Sequence, residues 1–245
     1  MKWLKIALPL LIMAALLCGC ADKSTEQTPA TPPEQTETQS GGEPAATLPP
    51  ELDGILQEAG LETTQLMGTQ VITVKAAGNT ARICFYEKTD DGWQEALPAT
   101  DGYVGQNGVT NEKAEGDGCT PAGQYTLGAA FGICEKPETT LEYRQVTADS
   151  YWVDDAASAS YNTWVEDTGD RDWESAEHLI DYPGKYDYAM VIGYNTENIV
   201  PGAGSAIFLH CGYSPTRGCV AMDTEAMLAV LKWLNSESQP SIVII

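Results

Sequence analysis

The feature that most limits the fold of this chain is a succession of short β-branched and aromatic runs, each closed by a Gly, Pro or Asn turn. Val71-Ile72-Thr73-Val74 and Ala81-Arg82-Ile83-Cys84-Phe85-Tyr86 flank Ala77-Gly78-Asn79. Gly and Asn accept the positive φ of a tight reversal, so this pattern predicts a β-hairpin. Thr120-Pro121-Ala122-Gly123 marks a turn into a strand at Gln124–Leu127, and Tyr188–Ile192, Ser205–Leu209 and Ile242–Ile245 read as buried strands. One stretch has a clear helical period: Met227, Leu228, Leu231 and Leu234, with Asp223 and Thr224 as caps and Glu225 in the first turn. Leu52–Leu61 is a shorter helix candidate leading into the domain. The expectation is a mainly β domain over residues 70–245 with a helix near its C-terminus, preceded by a lead-in segment at 51–69. No internal repeat is evident, and a domain of this size has room for a genuine core.

The first fifth of the chain has a different character. Met1-Lys2-Trp3-Leu4-Lys5 precedes an apolar run from Ile6 to Leu17, the charged and hydrophobic regions of a secretory signal. A membrane span needs ~20 apolar residues, more than this run supplies. Leu17-Cys18-Gly19-Cys20 resembles a bacterial lipobox, which implies a signal peptide over 1–19 and lipidation at Cys20; an ordinary signal peptide cleaved nearby is the alternative. Residues 20–50 are rich in Thr, Pro, Glu and Gln and nearly devoid of apolar side chains. Such a segment cannot offset its ordering entropy and is expected to be a disordered, extended linker. The implied location is extracytoplasmic, lipid-anchored to the membrane and facing the cell wall. With 35 acidic against 13 basic residues, the formal charge of -22 argues against nucleic-acid phosphate and anionic headgroups as partners.

Chemistry concentrates in Ile207-Phe208-Leu209-His210-Cys211-Gly212-Tyr213-Ser214-Pro215-Thr216-Arg217-Gly218-Cys219-Val220. A strand delivers His210 to its end, a short loop turns, and Cys219 follows a glycine. A thiol needs a base to act as nucleophile near neutrality, and an imidazole supplies one. Glycine lets the backbone pass close to a substrate, so the amides of Gly218 and Cys219 can face a developing oxyanion.

These residues resemble the L,D-transpeptidase catalytic domain (YkuD type), whose signature is a strand-end His, a loop, Ser or Thr, commonly His, then Gly-Cys and an apolar residue. Thr216-Arg217-Gly218-Cys219-Val220 carries the match. Glu115-Gly116-Asp117-Gly118-Cys119-Thr120-Pro121-Ala122-Gly123 matches a second block, Gly-Asp-Gly followed by Thr-Pro-x-Gly. The resemblance implies a β-sandwich with a C-terminal helix and acyl transfer on peptidoglycan stem peptides. Cys219 would be nucleophile, His210 general base and acid, and Gly218 an oxyanion amide, with Thr216 and Arg217 binding substrate. No cofactor and no metal are implied. The sequence departs from the family in its short loop, nine positions from His210 to Cys219, in Arg217 where His is usual, and in Ala221 where many members have Arg or Asn. Arg217 is expected to hold a peptide carboxylate in the missing arginine's place.

Other readings stay open at this stage. Hydrolysis of the same thioester would make an L,D-carboxypeptidase or endopeptidase. A Cys211–Cys219 disulfide would leave an inactive wall-binding lipoprotein, and Cys84, Cys119 and Cys134 add further pairings. A zinc site from His210, Cys211 and Cys219 lacks any Cys-x-x-Cys pair. His178 reads as a hydrogen-bonded structural histidine, or alternatively as part of a pocket-covering insertion with Tyr161, Asn162 and Trp164.

Overall fold

The computed structural model describes residues 48–245. The expected signal peptide at 1–19, the expected lipidation at Cys20 and nearly all of the expected linker at 20–50 lie outside the described residues. Helix α1 (Pro50–Ala59) leads into strands β1 (Gln70–Ala77), β2 (Thr80–Thr89) and β3 (Gly92–Tyr103). A short pair, β4 (Val109–Thr110) and β5 (Thr120–Pro121), precedes the long β6 (Gly123–Gly132). An excursion follows with β7 (Tyr143–Gln145), β8 (Ser150–Val153), β9 (Trp164–Glu166) and β10 (Ala176–His178). The chain ends in β11 (Ala189–Ile192), β12 (Phe208–Cys211), β13 (Val220–Met222), α2 (Thr224–Trp233) and β14 (Ser241–Ile244).

The main sheet runs β11-β12-β13-β3-β2-β1-β14-β6-β7, and β6 also pairs with β11. β6 meets β14 through Gly123–Thr126 and β11 through Leu127–Phe131, so the ladder returns to its start. Closure of this kind removes the exposed edges that an open sheet must protect. β10, β8 and β9 form a separate three-stranded sheet. The mainly β class with a C-terminal helix is as expected.

Period-two alternation explains the packing. Ile72 and Val74, Ile83 and Phe85, and Ile242 and Ile244 face one core, where Met227, Val230 and Leu231 of α2 and the following Leu234 join them. Val71, Cys84, Tyr86 and Val243 face the other way and receive Leu52, Ile55 and Leu56 of α1. Each such aliphatic side chain contributes ~1.5–3 kcal/mol by leaving water. Gly60 ends α1 in the left-handed conformation, φ 67°, and Asp223 caps α2 by accepting from the Ala226 amide at 2.9 Å. The β1–β2 hairpin turns at Gly78, φ 66°, where a positive φ is required.

A third, aromatic cluster joins the excursion to the sheet: Phe131, Trp152, Tyr186 and Phe208, together with Cys219. Phe131 and Trp152 meet the Phe208 ring edge to face, at centroid distances of 5.1 and 4.9 Å. These four aromatic side chains are therefore core. The strand expected at Ser205–Leu209 is displaced: Ala206 takes φ 52°, which breaks extended pairing, and β12 starts at Phe208.

Candidate active site

β12 and β13 lie side by side and parallel, with Leu209 opposite Val220 and His210 opposite Ala221. Parallel neighbours need a return connection, usually a dozen residues or more. Here β12 has only four residues, and the loop 212–219 suffices to retrace it. That geometry puts His210 and Cys219 on the wall of one cavity, of about 580 Å³, with Glu177, Tyr182, Lys185, Tyr186, Thr216 and Arg217.

The two sequence blocks meet at the backbone of the cysteine. Thr216 Oγ1 donates to the Cys219 carbonyl at 2.7 Å and Thr120 Oγ1 donates to the same oxygen at 3.2 Å. Thr120 in turn accepts the Gly105 amide at 2.8 Å. Asp117, between two glycines of positive φ, accepts from the Ala114 and Cys119 amides at 2.9 and 2.8 Å and from Lys113 Nζ at 2.6 Å. Burial works against its charge, but those donors prevail and hold the carboxyl below its ordinary value. A Cβ at Gly218 would lie 3.0 Å from the Cys119 carbonyl oxygen and 3.1 Å from Ile207 Cδ1, so this close approach needs glycine.

The thiol has its own seat. Cys219 Sγ donates to the Ala206 carbonyl at 3.2 Å and accepts from the Phe208 amide at 3.4 Å. Asn162 builds this seat: its Oδ1 accepts from the Ala206 amide at 3.0 Å and from Trp152 Nε1 at 2.9 Å. Its Nδ2 donates to the Asn195 carbonyl at 2.7 Å. The left-handed turn at Ala206 is what aims its carbonyl at the sulfur.

His210 is 4% exposed, and its Nδ1 lies 2.6 Å from the Cys211 carbonyl. A carbonyl only accepts, so Nδ1 carries the proton and Nε2 keeps the lone pair. Tyr186 packs edge-on against the imidazole at a centroid distance of 5.6 Å. Burial pushes the imidazole down to about 4, with Lys185 adding to the effect. Burial, then the Glu177 charge, pushes the Cys219 thiol up to about 12. The resting pair is thus neutral thiol and neutral imidazole. No direct thiol–imidazole hydrogen bond forms among the described residues, because the sulfur's proton is directed to Ala206.

The remaining sequence candidates fall in different places. Thr216 lines the cavity, but its hydroxyl is engaged by the loop, accepting from the Gly218 amide at 3.1 Å as well as donating to Cys219. The Gly218 amide therefore already has a partner. Arg217 lines the cavity, is exposed and makes no ion pair among the described residues. Sequence reasoning missed Lys185 and Glu177, which share that cavity. For Lys185 there was a signal, as the only Lys or Arg between Arg171 and Arg217. Glu177 gave none among its acidic neighbours.

All five described cysteines are free thiols. Cys211 faces the helix-side core and donates to the Tyr188 carbonyl at 3.4 Å, whereas Cys219 belongs to the aromatic cluster on the other face. His178 bonds Asp181 at 2.9 Å and the Ala148 carbonyl at 2.7 Å and stacks on Tyr151 at 4.3 Å, a structural arrangement.

The model of the L,D-transpeptidase catalytic domain (YkuD) matches residues 79–245. Among solved structures, the helical cell shape determining protein Pgp2 from Campylobacter jejuni aligns at 16% identity with a TM-score of 0.39, covering 78% of this chain and 54% of that one. A single-residue mutant of it aligns at 17% identity and the same TM-score, covering 78% and 53%. The chain thus spans about half the length of these structures. No curated protein matches the chain.

Proposed function

Since the chain belongs to the L,D-transpeptidase catalytic domain family, we propose that it is a cysteine acyltransferase forming 3→3 crosslinks between peptidoglycan stem peptides. Cys219 attacks the carbonyl that follows the third residue of a tetrapeptide stem. His210 Nε2 takes the thiol proton as the carbon–sulfur bond forms and gives it to the departing amine of D-alanine. An amine of a neighbouring stem then displaces the sulfur from the thioester. With a buried neutral pair, proton transfer accompanies attack and does not precede it. Amides of Gly218 and Cys219 receive the oxyanion, the Gly218 amide exchanging the Thr216 hydroxyl for it.

The observation that carries the reading is a free Cys219 thiol and a buried His210 lone pair on one cavity wall, flanked by Lys185 and Arg217, two cations without ion pairs among the described residues, in a chain of net charge -22. Such a pair suits a substrate bearing carboxylates, and Arg217 offers the bidentate fork. Lipid attachment at Cys20, with the domain held on the linker 20–50 toward the wall, belongs to the same proposal. No described helix is long and apolar enough to cross a membrane.

Intact-mass measurement after exposure to a carbapenem tests the nucleophile: one adduct is expected on the parent chain and on Cys134→Ala, and none on Cys219→Ala. Equal labelling of Cys219→Ala would refute the assignment. Muropeptide products then decide the second step. Crosslinked dimers support transfer, and tripeptide alone supports the hydrolytic alternative. Thiol counting on denatured, unreduced protein addresses the inactive, disulfide-joined alternative, which the opposite facing of Cys211 and Cys219 disfavours.

A further inference from the structure

Transfer to an amine poses a proton problem that His210 does not solve. The acceptor arrives as an ammonium ion and loses two protons in becoming an amide. One leaves the tetrahedral intermediate and is returned to the departing sulfur, a cycle the imidazole can run. The other must leave earlier, because an ammonium has no lone pair with which to attack.

Glu177 is the one acidic side chain among the described residues that line the catalytic cavity. It sits at the centre of β10, opposite Trp152 of β8, and accepts a hydrogen bond from the Tyr186 hydroxyl. Tyr186 is buried and packs against the His210 ring, so one rigid aromatic residue fixes both groups. Asp154, one residue beyond β8, lies near Glu177 and keeps a buried Oδ1 with no hydrogen-bond partner. Two neighbouring carboxyls favour retention of a proton between them.

We propose that Glu177 is the base that deprotonates the acyl-acceptor ammonium at the thioester stage, an inference that rests on the acyl-transfer reading above. The carboxylate takes one proton from the ammonium, and the freed amine attacks the thioester carbonyl. The C–N bond forms and the C–S bond breaks; the second amine proton passes through His210 to the Cys219 sulfur. Glu177 then releases its proton to solvent, and the thiol is restored. The acceptor is a primary amine, drawn in as a cation by the cavity's carboxylate.

The proton affinities agree with this division. Burial raises Glu177 to about 7; the Tyr186 hydrogen bond, Lys185 and Arg217 oppose the rise and Asp154 adds to it. Tyr182 and Cys219 also face it. An alkylammonium near ~10 is separated from such a carboxylate by roughly three units, and from an imidazole at about 4 by roughly six. Transfer to Glu177 is therefore less uphill by about three powers of ten.

The test compares the full chain with Glu177→Gln and Tyr186→Phe, using a synthetic stem tetrapeptide as donor and acceptor and a carbapenem for thioester formation alone. Glu177→Gln is expected to lose about 10²-fold in the ratio of dimer to tripeptide at pH 7, a ratio set after the acyl-enzyme has formed, whose presence the carbapenem adduct reads. The parent's transfer rate should level off above about pH 7. That of Glu177→Gln should keep climbing about tenfold per pH unit, because it must wait for free amine. Tyr186→Phe, which loses only the hydroxyl, should move the levelling-off point upward, and it keeps the test open if the first variant folds poorly. A Glu177→Gln variant with the parent's ratio and pH profile overturns the proposal, as does an unmoved profile in Tyr186→Phe. A parent chain that forms no acyl-enzyme refutes the acyl-transfer reading itself, a separate and recognisable failure.

Discussion

Alkylation of Cys219 as a function of pH gives a direct measure of how the thiol is held. A cysteine protease of the ion-pair type keeps its thiolate over a wide acidic and neutral range, so its alkylation rate is flat there. Cys219 has the opposite environment: a buried sulfur, a proton aimed at the Ala206 carbonyl and an imidazole too weakly basic to take it at rest. With the thiol near 12, against ~8.5 for an ordinary cysteine, its thiolate fraction at pH 7 is lower by roughly 3 × 10³. A more basic thiolate is also more nucleophilic, by roughly 40-fold over that interval at a Brønsted slope of ~0.45. The net expectation is iodoacetamide alkylation about 10²-fold slower than that of a free cysteine peptide, rising tenfold per pH unit up to pH 10. Restricted access lowers the absolute rate without changing the slope. The assay follows the Cys219 peptide by mass spectrometry after timed quenching between pH 5 and 10. A rate that stays flat from pH 5 to 8 would mean a preformed thiolate–imidazolium pair and would refute this account.

His210 titrates near 4 in the fold against 6.5 ordinarily, so the unfolded chain takes up a proton first and stability is lost as pH falls from 6.5 to 4, by up to ~1.4 kcal/mol per unit. Glu177 is raised from 4.5 to about 7 and acts in the opposite sense, giving up stability as pH rises across that interval. Denaturant midpoints of His210→Gln should therefore fall from pH 4.5 to 6.5, and a parent-like profile would contradict the assignment. Thr120→Val keeps the shape but orphans the buried Gly105 amide, which costs ~1–3 kcal/mol. Its melting temperature should drop by about 2–4 °C per kcal/mol, with slower carbapenem acylation; unchanged melting would show that the hydroxyl is dispensable. Gly218→Ala pushes a methyl against the Cys119 carbonyl and Ile207 and should abolish acylation in a chain that still folds. Parent-like acylation would show that the loop yields freely.

The strands that alternate cleanly were legible in the sequence because a one-residue slip would turn Ile72 and Val74 out of the core. The β1–β2 hairpin and α2 were legible through Gly78 and through the Asp223 cap. At the site, the two motif blocks were recognisable, and they converge on one carbonyl through Thr120 and Thr216. The seat of the sulfur was not legible. Nothing local marks Ala206 for a positive φ; it is imposed from outside the segment by Asn162, 44 positions earlier in the chain. Glu177 and Lys185 escaped notice for a similar reason, since only the return of the excursion to β11 places them beside β12. That the Gly218 amide and the Thr216 hydroxyl bond to each other was not legible either, since nothing in the sequence discloses that contact.

Phe131 of β6 and Ala189 of β11 are direct partners in the ladder, so the excursion between them leaves and rejoins the closed sheet at neighbouring positions, with its β7 paired to the same end of β6. Lengthening or trimming a segment clamped in this way changes the chain-closure cost by only ~0.6 kcal/mol per doubling. His210 and Cys219, on β12 and at the head of β13, would keep their register through such a change. Descendants of this chain can accordingly exchange the wall that meets the incoming amine where they keep Asn162, which seats the Cys219 sulfur through Ala206, and Tyr186, which packs on His210.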